Sequence, residues 1–108
     1  MIDWSQVAAL REEVGEEDFE EVVSLFLEEV DDEIGTLAPN ADGLAGKLHF
    51  LKGSALNLGF REFSSLCQTG ESALSRDPRA TVDIDGLLAS YKNSRAAFLS
   101  ELPTQFAP

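Results

Sequence analysis

Apolar residues recur along this chain at intervals of three and four, and almost nowhere in strict alternation, which predicts helices and no sheet. Trp4, Val7, Leu10 and Val14 mark one side of a short first helix over Asp3–Val14, stopped by Gly15. A long second helix begins near Glu17. It carries Phe19, Val22, Val23, Phe26, Val30, Ile34 and Leu37 in one stripe, and Glu17, Asp18, Glu20 and Glu21 crowd its first turn as the helix dipole prefers. Pro39 and Asn40 break the pattern. The third helix runs from about Asp42 to Leu58, with Gly59 as a left-handed cap. A fourth starts near Arg61, buries Phe63, Leu66, Cys67, Gly70 and Leu74, and ends at Asp77-Pro78. The last starts near Asp83 or Asp85, buries Ile84, Leu87, Leu88, Tyr91, Phe98 and Leu102, and is expected to stop before Pro103. Arg95 falls inside that stripe, with its stem expected to snorkel to solvent. The tail from Thr104 to Pro108 is expected to be disordered. The predicted fold is all-α: an antiparallel up-down four-helix bundle with a short N-terminal capping helix, spanning 1–108 as one domain.

Charge narrows the function. Twenty acidic against eight basic residues give a net charge of −12. Nucleic acid and anionic membranes, which bind through Lys and Arg, are poor partners for such a chain. Cys67 is the only cysteine, so neither an internal disulfide nor a cysteine metal cluster can form. Met1-Ile2-Asp3-Trp4 has neither the basic nor the apolar stretch of a secretory leader, and no apolar run reaches bilayer length. The expected location is cytoplasmic.

The third helix holds the candidate chemistry. At about 100° per residue, Leu44, Leu48, Leu51, Ala55 and Leu58 fall within about 40° of one direction, while His49 points about 140° away. The only histidine therefore faces solvent. Gly46 at i−3 and Gly53 at i+4 share its face, Gly43 lies a turn earlier, and Ala45 is small. Each interior glycine costs about 0.8–1 kcal/mol relative to alanine, so clearing this face suggests that something approaches it closely. For Gly43, helix packing is the expected reason. Leu56 and Phe60 are expected to add an apolar rim for docking. Lys52, at i+3, is a helical neighbour of His49 and could hold the oxygens of an arriving phosphoryl group.

The string His49-Phe50-Leu51-Lys52-Gly53-Ser54-Ala55-Leu56-Asn57-Leu58-Gly59 closely resembles the signature of the histidine-containing phosphotransfer (HPt) domain family. The surrounding helical plan is similar over essentially the whole chain. The resemblance implies a four-helix bundle in which His49 is phosphorylated, Lys52 interacts with the phosphoryl group, and Gly53 leaves room for a receiver domain's aspartate. In many HPt domains a Gln or Glu of the following helix hydrogen-bonds the imidazole. Glu71 is the candidate by spacing, with a plain surface glutamate as the alternative. Ser54 and Leu58 match the signature too, but their wheel positions suggest packing.

The chain has no P-loop, no glycine-rich kinase loop and no βα alternation. The expected function is that of a phosphorelay intermediate, a stoichiometric carrier with no ATP-dependent kinase activity of its own. Its implied partners are response-regulator receiver domains and a sensor (hybrid) histidine kinase, with Mg supplied by the receiver, no metal site of its own, and a monomeric state. Two other readings stand beside this: a helical adaptor that binds without taking phosphate, and a metal site on His49 and Glu71, for which one imidazole and one carboxylate are a poor ligand set.

Overall fold

A computed structural model describes residues 2–106. Five helices follow in order: α1 Trp4–Val14, α2 Glu16–Ile34, α3 Leu44–Asn57, α4 Arg61–Arg76 and α5 Ile84–Gln105. Asp3 caps α1 by accepting from the Ser5 N–H at 3.2 Å. Gly15 alone separates α1 from α2; its φ of +89° makes a turn that side chains resist. Glu16, Glu17 and Asp18 fill the first turn of α2. Helices α2 to α5 run up and down as the bundle, and α1 lies over one end against α2 and α3.

The core is the set of stripes meeting on the bundle axis. Phe60, Phe63 and Phe98 are fully buried, with Leu48, Leu51, Leu58, Val7 and Val30 beside them. All five residues of the α3 seam are buried, as their spacing predicts. Leu27, absent from the predicted α2 stripe, is buried as well, being one turn from both Val23 and Val30. Leu66 is instead 38% exposed on the outer side of α4. Burial pushes the Cys67 thiol up to about 12, so it is an inert core residue near neutral pH.

The corner between α3 and α4 is held by backbone. Gly59 adopts φ +76°, and a Cβ there would sit 2.6 Å from the Asp3 carbonyl oxygen. The Gly59 carbonyl in turn accepts from the Asp3 N–H at 2.8 Å. Phe60, expected on a docking rim, lies at 0% exposure in this corner, with ring centroids 5.6 Å from Phe98 and 5.9 Å from Tyr91. Once Gly59 reverses the chain, the next side chain is directed inward; the helical wheel of α3 no longer applies to it.

Two further expectations need correcting at α5. The helix does not stop before Pro103 but continues to Gln105, so Thr104 and Gln105 are helical, while Ala107 and Pro108 lie outside the described residues. Interior proline costs about 3 kcal/mol, less where the helix has little left to run. The end is anchored by Phe106, which meets Phe19 at 5.5 Å and Trp4 at 6.4 Å, with the Arg11 guanidinium 4.8 Å above its ring. Arg95 does not simply reach for water. Its Nε and Nη2 donate to Asp31 of α2 at 3.1 and 2.9 Å, and the Tyr91 hydroxyl donates to the same carboxylate. That latch joins α2 to α5, which explains a cation inside an apolar stripe.

Candidate functional site

His49 sits in the middle of α3 with its side chain 69% exposed, on the opposite side from the leucine seam. Helix α4 runs antiparallel alongside, and this register brings Glu71 and Gln68 opposite His49 and Lys52. Glu71 Oε2 lies 2.8 Å from His49 Nδ1, and Glu71 Oε1 accepts from Lys52 Nζ at 2.8 Å. Gln68 Oε1 accepts from the same ammonium at 2.9 Å. One carboxylate therefore grips both the imidazole and the lysine. The Ser64 hydroxyl donates to the Lys52 carbonyl at 3.1 Å and fastens α4 to α3 beneath the site.

The electrostatics follow from these bonds. The Lys52 hydrogen bond holds the Glu71 carboxyl below its ordinary value, against some desolvation, and the His49 hydrogen bond pulls the same way. An ionised carboxylate can only accept, so Nδ1 carries the shared proton. In the neutral ring Nε2 then holds the lone pair, and it has no hydrogen-bond partner among the described residues. Because the folded value is lowered, the bridge is complete above the ordinary carboxylate value of 4.5 and is lost as pH falls through the lower folded value. In carbon-detected NMR titrations, Glu71 is expected to titrate below 4.5 in the wild type and to move upward in Lys52→Met. An unchanged Glu71 titration would show that the lysine does not hold the carboxylate.

Gly46 and Gly53 flank His49 on the exposed face, and a Cβ at either would meet nothing within 4 Å. Packing within the chain therefore does not require glycine at these two positions. Gly43 differs from both: it is the left-handed N-cap of α3 at φ +69°, with open space around it, so conformation rather than helix packing accounts for it. Ala45 and Leu56 are exposed on α3, Leu56 by 44%, whereas Phe60 is withdrawn into the core. Ser54 is buried and Leu58 fully so, matching their wheel positions. Phe50, 39% exposed, adds apolar surface beside His49 that the sequence reading passed over.

A shallow groove between α3 and α4 is lined by His49, Lys52, Gln68, Glu71, Ser72, Ser75 and Arg76. Gln68 and Arg76 were not singled out from sequence. Their signal was the polar stripe of Gln68, Ser72 and Arg76, four residues apart along α4, with Glu71 and Ser75 beside it. Among the described residues no group of three or more His, Cys, Asp or Glu side chains gathers as a metal site, and Glu71, the second ligand of the metal alternative, has both oxygens engaged. Among the same residues no helix is long and apolar enough to cross a membrane.

An exposed imidazole oriented through one nitrogen, with a cation beside it and bare helix around it, can act chemically as a nucleophile toward an anionic group. Comparison with known proteins gave no match among curated proteins and none among solved structures. The family model described as "Hpt domain" matches residues 21–105, which take in α3, α4, α5 and most of α2. The chain thus belongs to the Hpt domain family, the histidine-bearing phosphocarriers.

Proposed function

We propose that this protein is a phosphorelay intermediate in which His49 takes a phosphoryl group from the aspartyl phosphate of a receiver domain and passes it to another response regulator. The observation that carries this reading is the 2.8 Å contact of His49 Nδ1 with Glu71, which leaves Nε2 as the nucleophile on an exposed ring. The Nε2 lone pair attacks phosphorus, the N–P bond forms, and the P–O bond to the aspartate breaks as the aspartate leaves as a carboxylate. No proton has to move. The ring nitrogen opposite the new bond keeps its hydrogen, so the imidazole becomes formally cationic, and the Glu71 carboxylate offsets that charge. Lys52, which donates to Glu71 at 2.8 Å, supplies the cation for the phosphoryl oxygens in this reading.

Phosphoryl transfer proceeds through a loose transition state, so positioning and charge compensation supply most of the acceleration. Magnesium is supplied by the receiver. Phosphohistidine and aspartyl phosphate are both high in energy, so transfer runs either way, as a relay requires. A sensor or hybrid histidine kinase stands upstream, and the setting is the cytoplasm.

The test is a transfer assay from phosphorylated receiver domains of the source organism. The expected product is a label on this chain that is lost in acid and kept in base. A chain that takes no label from any receiver, or takes only an acid-stable one, would refute the reading. Gly53→Leu supplies a second measurement. The substitution is expected to leave the fold intact, since a Cβ there meets no neighbour, while slowing transfer at least roughly tenfold by blocking close approach. Full transfer by a folded Gly53→Leu protein would show that the open face does not serve the partner.

A further inference from the structure

Charge is unevenly divided along this chain. Residues 43–82, which carry α3 and α4, contain five cations and three carboxylates; the remaining 68 residues contain three cations and seventeen carboxylates. The hairpin that presents His49 is thus net positive by two on a protein whose remainder is negative by fourteen. Most cations are already engaged. Lys47 pairs with Glu33 at 3.1 Å, Lys52 with Glu71, Arg61 with Asp3 at 3.8 Å, Arg11 with Glu16 and Arg95 with Asp31. Among the described residues Arg76, Arg79 and Lys92 have no carboxylate within 4.0 Å.

Two of these three lie at one end of the proposed transfer surface. Arg76 lines the groove that holds His49, and among the described residues its only side-chain bond is a long one of 3.4 Å from Nε to the Ser72 carbonyl, which leaves the outer guanidinium nitrogens free. Arg79 lines an adjoining cleft between the α2–α3 and α4–α5 connections, a cleft that also includes Ala45, one helical turn from His49. The exposed apolar residues Phe50 and Leu56 are on α3, the latter toward its opposite end. The face is therefore polar in the directional sense, with free cations at one end and apolar surface at the other.

We propose that Arg76 and Arg79 capture the incoming partner, drawing the acidic rim around the receiver domain's phosphorylated aspartate toward His49. This rests on the phosphocarrier reading and deepens it. A donor site holding a carboxylate and a phosphoryl dianion stays anionic even with one magnesium ion bound, so the cations near His49 that lack a carboxylate partner among the described residues attract it, while the acidic remainder of the protein turns it away. Lys52, already shared between Glu71 and Gln68, acts locally on the phosphoryl group; the two arginines act on the approach.

The experiment compares Arg76→Glu/Arg79→Glu, the single Arg76→Glu and the control Lys92→Glu, using the receiver domain that transfers fastest to the wild type. Lys92 is exposed on α5 and lines neither the groove of His49 nor the adjoining cleft, and its reversal changes net charge as much as Arg76→Glu does. In the double variant, the second-order transfer rate at roughly 20 mM salt is expected to fall at least tenfold. At roughly 0.5 M salt the gap is expected to close to within about twofold, because charges are then screened over a few ångströms. Arg76→Glu is expected to lose part of that rate and Lys92→Glu less than twofold. The first-order rate at saturating receiver is expected to stay within twofold of wild type throughout.

An unchanged low-salt rate in the double variant would overturn the proposal. So would an equal loss in Lys92→Glu, which would mark an effect of net charge alone, or a fall confined to the saturated rate. Labelling by phosphoramidate, a small phosphoryl donor with no docking surface, separates the two levels. At roughly 0.5 M salt, where a charge on the groove is screened, all variants are expected to label within about twofold of the wild-type rate. Failure of the wild type itself to label on histidine would bring down the phosphocarrier reading, and the docking proposal with it.

Discussion

His49→Gln is expected to abolish the acid-labile label completely while leaving the melting curve of the protein nearly where it was. The nucleophilic nitrogen is gone, and glutamine has no lone pair of comparable reactivity at that point. The fold should barely register the change, since the imidazole is 69% exposed and the leucine seam of α3 faces the other way. Glutamine is also a better helix former than histidine, and surface substitutions of this kind usually shift stability by no more than about 0.5 kcal/mol. The same variant separates a carrier from an adaptor. A carrier loses its signalling effect with the label, whereas an adaptor that only occupies its partner keeps it. A label surviving on His49→Gln would place the phosphoryl group on some other residue.

The second large effect is expected at Phe60, and there the consequence falls on stability. Phe60→Ala removes a fully buried ring that contacts Phe98 and Tyr91 and leaves a cavity in the corner between α3 and α4. Such truncations cost about 3–5 kcal/mol, a large part of the roughly 5–15 kcal/mol that holds a domain together. At about 4–8 °C per kcal/mol for a domain of this size, the midpoint should drop by roughly 12 °C or more. Urea and thermal denaturation measure this directly. Transfer per folded molecule is expected to stay within about twofold of wild type. An unaltered melt with transfer lost would return Phe60 to the docking rim, where the wheel of α3 had put it.

Phe60 illustrates a general division. Its burial depends on Gly59 at φ +76° and on the backbone bond from Asp3, contacts between residues more than fifty positions apart. A periodic pattern carries no information about where the chain goes after it reverses. The same holds at Pro103: a local rule ends α5 there, but Phe106 finds Trp4 and Phe19 from the other end of the sequence and keeps the last turn helical. Arg95 looked misplaced in its stripe only because Asp31, its partner on α2, is 64 positions away.

Spacing within α3 was enough to put five apolar residues in the core and the only histidine outside it, because a helix converts sequence intervals into directions at a fixed angle per residue. The string from His49 to Gly59 carried the family for the same reason: it lies in one short, regular segment. What needed the tertiary structure was everything shared between helices. The register of α4 against α3 lets a single carboxylate hold His49 and Lys52 together, and the same register leaves Arg76 on the groove without an acidic partner among the described residues. Register is set by how side chains from two separate stripes interlock, a collective property of the packed bundle that neither stripe contains alone.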